Sequence, residues 1–202
     1  MDSLGIGKPL EGFAEFCRKV AAEGAILLKN KDNVLPLKEN ERVSIFGRCQ
    51  IDYYRSGTGS GGRVNVEYTT NLLDGLRSKP EIKVNEDLAA IYQDWIKENP
   101  FNDGGGGWAA EPWYQKEMPL SDSMVKDAKG KSDKAIVVIG RTAGEDKDNQ
   151  NEEGSYLLTK LEQDMLKAVC KYFDEVILVL NVSNIMDISW IDSLDRKLLF
   201  YV

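Results

Sequence analysis

Two runs in the last third of the chain, KAIVVIG at 134–140 and EVILVLN at 175–181, lack the alternation of polar and apolar residues that a half-exposed strand shows. A strand without that alternation is covered on both faces. Between the two runs lies TKLEQDMLKAVCKYF, where Leu161, Met165, Ala168, Val169 and Tyr172 form an apolar stripe at helical spacing and Thr159 with Glu162 has the spacing of a capping box. Strand, amphipathic helix and strand in that order predict an α/β fold, a mostly parallel sheet sandwiched between helices.

The rest of the chain extends the same pattern. RVSIF at 42–46 reads as a strand ending at Gly47, and TTNLLDGLRSK reads as a helix capped by Thr69 or Thr70 with Leu72, Leu73 and Leu76 inward. DLAAIYQDWIKEN is a helix with Leu88, Ile91, Trp95 and Ile96 as its apolar side, stopped before Pro100, and SDSMVKDAK is a shorter one. Near the start, FAEFCRKVAA places Phe13, Phe16, Val20 and Ala21 near one helical face, followed by the short apolar run GAILLKN. The chain finishes on RKLLFYV, strand-like and with no closing helix, so a domain interrupted at its C-terminus is expected.

Composition then removes whole classes of function. With 202 residues and a formal charge of -7, and without any basic cluster interleaved with aromatics, nucleic acid is excluded as a partner. No segment approaches the roughly 20 apolar residues that span a bilayer, and MDSLGIGKPLEGF has no export signal, so the expectation is a cytoplasmic chain off the membrane. Cys17, Cys49 and Cys170 are odd in number and far apart, which predicts three buried, reduced thiols rather than a disulfide framework or a zinc site. The chain has no histidine. Histidine-based triads, zinc proteases and zinc deaminases are therefore out, no metal or cofactor is expected, and any chemistry falls to carboxylates.

Ligands of such sheets bind beyond the carboxyl ends of the strands, which directs attention to two loops. The loop after KAIVVIG, RTAGEDKDNQNEEGSY, carries Glu145 five residues beyond Gly140, with Asp146, Asp148, Glu152 and Glu153 competing for any acid/base role. Spacing alone does not choose among them, and a solvated acidic connection is the plain alternative. EDKDNQNEEG is rich in oxygen ligands but departs from the EF-hand order. The loop after RVSIF contains GTGSGG at 57–62, flanked by Arg55 and Arg63; it resembles a nucleotide cradle but matches neither the P-loop nor the dinucleotide pattern. A third loop, 99–120, holds four consecutive glycines together with Trp108 and Trp113, which either line a cleft or pack on the sheet.

Taken together, AAEGAILLKNKDNVLPL, the GSG after the first core strand, VVIGRTAGEDKDNQNEEGSYLLTKLEQDMLKAV and VILVLNVSNIMDISWI resemble the sandwich domain of glycoside hydrolase family 3, the beta-glucosidases and related exo-acting enzymes. The resemblance runs from about Phe13 to Val202, so residues 1–202 are identified as one partial α/β sandwich domain. It implies a retaining beta-glycosidase, most simply a beta-glucosidase releasing glucose from non-reducing ends of beta-glucosides or oligosaccharides. In that family a (β/α)8 barrel supplies an aspartate nucleophile, and the sandwich domain lends a glutamate as general acid/base, which by motif match is Glu145. Trp108, Trp113, Arg55 and Arg63 become the candidates for substrate contact. The family more often has glycine after that glutamate and an Asp-Arg pair soon after, where this chain has Asp146, then Asp148 and Asn149.

Such an enzyme needs two carboxyls about 5–5.5 Å apart, one to attack the anomeric carbon and one to protonate the leaving oxygen. Nothing the size of a barrel is present in 202 residues. The barrel is expected downstream or upstream of these residues, and the chain by itself is expected to be inactive. The competing reading is a carbohydrate- or nucleotide-binding module without chemistry.

Overall fold

The computed structural model describes residues 9–59, 66–194 and 198–201. Six strands form one sheet: β1 (Leu27–Lys29), β2 (Arg42–Phe46), β3 (Lys83–Val84), β4 (Lys134–Arg141), β5 (Val176–Val182) and β6 (Leu198–Tyr201). Their spatial order is β1-β6-β5-β4-β2-β3, with β1 antiparallel to β6 and every other pairing parallel. The helices are α1 (Phe13–Gly24), α2 (Leu72–Arg77), α3 (Glu86–Glu98), α4 (Asp122–Lys131) and α5 (Lys160–Tyr172). This is the α/β architecture expected, and LLFY of the final strand-like run, at 198–201, takes a place inside the sheet, between β5 and β1.

The unbroken apolar runs are explained by where alternate side chains go. Along β4, Val137 and Ile139 enter a core with α3, α4 and α5, whereas Ile136 and Val138 enter a second core with α2 and the segment around Val34. Strand side chains alternate faces, so two covered faces demand apolar residues at every position. Fully burying each such side chain stabilises the fold by about 1.5–3 kcal/mol. At the N-terminus of α5 the Thr159–Glu162 capping box forms in both directions, and Met165, Leu166 and Val169 are buried below it.

Three helix expectations change. The cap of α2 is Asn71, whose side chain accepts from the Asp74 amide at 2.8 Å, rather than Thr69 or Thr70. In α3 the buried residues are Leu88, Ala89 and Tyr92, while Ile91 is exposed. Tyr92 fits inside because its hydroxyl accepts from the Gly47 amide at 2.8 Å, which satisfies its polar tip. The stripe of α1 stands in solvent, with Phe16 63% exposed, and Cys17 is exposed with it. Only Cys49 of the three thiols is buried, Cys170 being partly so.

No helix among the described residues is long and apolar enough to cross a membrane. The connection leaving β2 runs through α2 to β3 on one side, whereas the chain leaving β4 runs through α5 to β5 on the other. Neighbouring strands whose exits part in this way open a crevice at their carboxyl ends.

Candidate active site

A Gly-Arg pair stands at the exit of each strand bordering the crevice, Gly47-Arg48 just after β2 and Gly140-Arg141 at the end of β4, and both arginines are buried. Arg141, closing β4, forms a two-pronged ion pair with Glu162 at 2.6 and 2.7 Å and also donates to the carbonyls of Ser155 and Leu157. One guanidinium thus ties the root of the acidic loop to its far end. Arg48, beyond β2, pairs with Asp52 at 2.5 Å, lies 5.2 Å from the centre of the Trp95 ring, and donates to the carbonyls of Asn99 and Lys116. Those carbonyls mark the two ends of the tryptophan-bearing loop. Glu117 completes this buried layer, accepting the amides of Arg48 at 2.9 Å and Met118 at 2.7 Å; burial pushes its carboxyl up to about 8.

Above this layer the acidic loop makes a tight turn. Gly144 and Lys147 exchange backbone bonds of 3.3 and 3.0 Å, which leaves Glu145 and Asp146 as the two residues at its tip. Asp146 has φ 59°, a left-handed conformation that aspartate tolerates better than most residues. This is the position at which the family resemblance leads one to expect glycine.

The loop after β2 lies against this turn. The Thr58 amide donates to the Ala143 carbonyl at 2.9 Å, and Thr58 bridges Gly144. A Cβ on Gly59, itself at φ 112°, would stand 2.7 Å from the Cβ of Glu145, and one on Gly144 would stand 2.1 Å from the Thr58 carbonyl oxygen. The two glycines of GTG at 57–59 therefore have a local reason independent of phosphate: two backbones meet there with no room for a Cβ at Gly57 or Gly59.

The third wall is the 99–120 loop. Its neck is closed by Asn102 and Gln115, paired through bonds of 2.7 and 2.9 Å, and its tip leans on the acidic loop. The Trp108 indole N–H donates to Asp146 Oδ2 at 2.7 Å, and that of Trp113 donates to the Asp148 carbonyl at 3.1 Å. The Lys147 ammonium sits 4.7 Å from the centre of the Trp113 ring.

A cleft of about 630 Å³ opens between the second and third loops, lined by Tyr54, Arg55, Gly59, Phe101, Trp108 and Glu111 among others. Arg55 and Trp108 are thus placed together on it. Trp113 is not among its lining residues and is engaged with the acidic loop instead. Glu145 is exposed at the rim, its Cβ against the lining residue Gly59. Arg63 lies outside the described residues. Sequence reasoning missed Arg48, Glu117 and Arg141 and saw Glu162 only as a helix cap; the Gly-Arg repeated at the exits of two apolar strands was the available signal for the arginines.

Among known proteins, the family model described as the glycosyl hydrolase family 3 C-terminal domain matches residues 25–198. A beta-glucosidase of Ruminococcus albus is 49% identical over 190 residues, which span 94% of this chain and 20% of that protein. Beta-glucosidase A of Butyrivibrio fibrisolvens is 31% identical over 205 residues, 90% of this chain and 24% of that one. The crystal structure of a beta-glucosidase from Paenibacillus barengoltzii has a TM-score of 0.92 at 60% identity, covering 97% of this chain and 22% of its own. Beta-glucosidase 3B from Thermotoga neapolitana, solved in complex with alpha-D-glucose, has a TM-score of 0.80 at 29% identity over 97% of this chain and 27% of its own. The chain therefore spans about a fifth to a quarter of the length of these relatives.

Proposed function

The chain belongs to glycosyl hydrolase family 3, and on that premise we propose that residues 1–202 are the α/β sandwich part of a retaining beta-glycosidase, with Glu145 as general acid/base. The activity is that of a beta-glucosidase acting on beta-linked glucosides or oligosaccharides. The observation that carries this reading is the placement of Glu145, at the tip of a two-residue turn over the crevice and beside a cleft with aromatic walls. The buried Glu117 carboxyl is held by two backbone amides and the buried Glu162 carboxylate by Arg141. They are not presented to a ligand.

In the first half-reaction a carboxylate of the barrel attacks the anomeric carbon as the glycosidic C–O bond breaks, and Glu145 gives its proton to the departing oxygen. In the second, Glu145 takes a proton from water, which attacks the anomeric carbon and releases the sugar from the barrel carboxylate. Trp108 offers an apolar face to a sugar ring and Arg55 a donor to its hydroxyls. Arg63 belongs to the same set by sequence, as does Trp113 at the neighbouring loop. Without the barrel there is no nucleophile, so the 202-residue chain alone turns nothing over.

The test is leaving-group dependence of Glu145→Gln in the enzyme that joins this chain to its barrel. Alkyl or sugar aglycones, which need the proton, lose about 10²- to 10⁴-fold in kcat/KM. A dinitrophenyl aglycone is far less affected, and a small anionic nucleophile restores turnover of the accumulated intermediate. Equal losses across aglycones, or the selective pattern moving to Asp148→Asn or Glu152→Gln, would contradict the assignment.

A further inference from the structure

The two groups that face each other across the cleft rim, the Trp108 indole and the peptide carrying Glu145, are joined by one hydrogen bond. Asp146 makes it, from a backbone conformation that a residue with a side chain seldom adopts: φ is 59° at the second tip position of a two-residue turn. Glycine is the least strained occupant of such a position. Aspartate here contributes what glycine lacks, a carboxylate 2.7 Å from the indole nitrogen of a cleft-lining tryptophan.

The surroundings leave this bond as the adjustable element. On one side the turn is fixed against Thr58 and Gly59, and on the other the 99–120 loop is clamped at its neck by Asn102, Gln115 and the Arg48 guanidinium. Trp108 itself is 56% exposed, so packing alone does not fix its ring. A polar contact at its Nε1 does, and a contact between an ionised acceptor and an N–H donor is among the stronger hydrogen bonds.

We propose that Asp146 is a positioning residue, which by accepting the Trp108 indole N–H locks the cleft wall to the turn bearing Glu145, so that the substrate-facing ring and the acid/base are set in register. This rests on the assignment of Glu145 made above. A misplacement of about 1 Å at a reacting group can cost up to about a hundredfold in rate, so loss of the lock shows first in the step that needs accurate proton delivery.

Three variants separate the roles. Asp146→Gly relaxes the left-handed backbone but removes the acceptor, Asp146→Asn keeps both the turn preference and an acceptor oxygen, and Trp108→Phe keeps a ring but removes the donor. In the 202-residue chain labelled at the indole nitrogens, the Trp108 N–H resonance, identified by its loss in Trp108→Phe, is expected to shift and exchange faster in Asp146→Gly and to stay near its position in Asp146→Asn. In the enzyme joined to its barrel, Asp146→Gly is expected to lower kcat on the order of tenfold for a poor leaving group, with little change for a dinitrophenyl aglycone and little change in KM. Asp146→Asn recovers most of that loss, and adding Trp108→Phe to Asp146→Gly produces no further selective loss. An indole resonance indifferent to Asp146→Gly overturns the lock, whatever Glu145 does. A shifted resonance with no leaving-group selectivity in Asp146→Gly overturns positioning while Glu145→Gln still shows its own pattern. Absence of selectivity in Glu145→Gln itself overturns the acid/base assignment and the positioning role together, leaving only the indole bond.

Discussion

The exposed turn at 144–147 and the buried polar layer just beneath it lie at the same edge of the same sheet, and both are rich in charge, yet they are built on opposite terms. In the lower layer Arg141 meets Glu162 through two bonds, Arg48 meets Asp52, and Glu117 accepts two amides, with the arginines and glutamates all buried. At the turn Glu145 and Asp146 are exposed, and the loop is shaped by glycines that let neighbouring backbones approach. Charges removed from water must find partners within the protein, because a buried unpaired ion costs several kcal/mol. A charge at the rim keeps its contact with water and is under no such constraint. The lower layer holds the loops in place, and the upper one carries the proposed acid/base.

Unpairing the lower layer has the largest expected effect. Glu162→Ala leaves the Arg141 guanidinium buried without its carboxylate and is expected to destabilise the chain by about 3–5 kcal/mol in urea unfolding. Adding Arg141→Met should recover much of that loss, since removing both partners of a buried pair costs far less than removing one.

Glu117 sharpens the contrast through pH. Burial raises its carboxyl to about 8 in the folded chain, so the folded state holds a proton that the unfolded chain releases at the ordinary carboxylate range. The folded state then binds more protons than the unfolded one between those values, and its stability falls as pH rises through that window. Glu117→Gln removes the dependence. Unfolding measured at pH 5, 7 and 9 should show the variant gaining on the wild-type chain by up to about 1.4 kcal/mol per pH unit, with no further gain above about 8.

Smaller effects belong to the upper layer and the surface. Gly59→Ala places a Cβ against Glu145 at φ 112° and is expected to cost about 1–2 kcal/mol in stability, alongside a fall in turnover of the barrel-joined enzyme. Phe16→Ser, on the exposed stripe of α1, is expected to move the unfolding free energy of this chain by no more than about 0.5 kcal/mol.

The sheet was legible because β4 and β5 announce two covered faces in every residue, and α5 announces its start through Thr159 and Glu162. The stripe of α1 was equally legible but misleading. Periodicity reports that a face is apolar, and in α1 that face meets solvent rather than the sheet. At the site, the acidic loop and the glycine loop were each visible, while their meeting at Thr58 and Gly144 depends on the parallel pairing of β2 with β4, which no local pattern encodes. Trp108 and Trp113 were visible as aromatics in a glycine-rich loop. That their indole nitrogens reach Asp146 and Asp148, 38 and 35 residues away, follows from the fold alone.

The division between a supporting layer and a presenting turn is tested most directly by Glu145→Gln, read in two ways on the same substitution. The variant of the 202-residue chain should unfold within about 0.5 kcal/mol of the wild type, because Glu145 is exposed and glutamine keeps nearly its size. In the barrel-joined enzyme it should lose about 10²- to 10⁴-fold in kcat/KM on a beta-linked disaccharide. A loss of several kcal/mol in stability, or turnover of the disaccharide near the wild-type rate, would contradict the account.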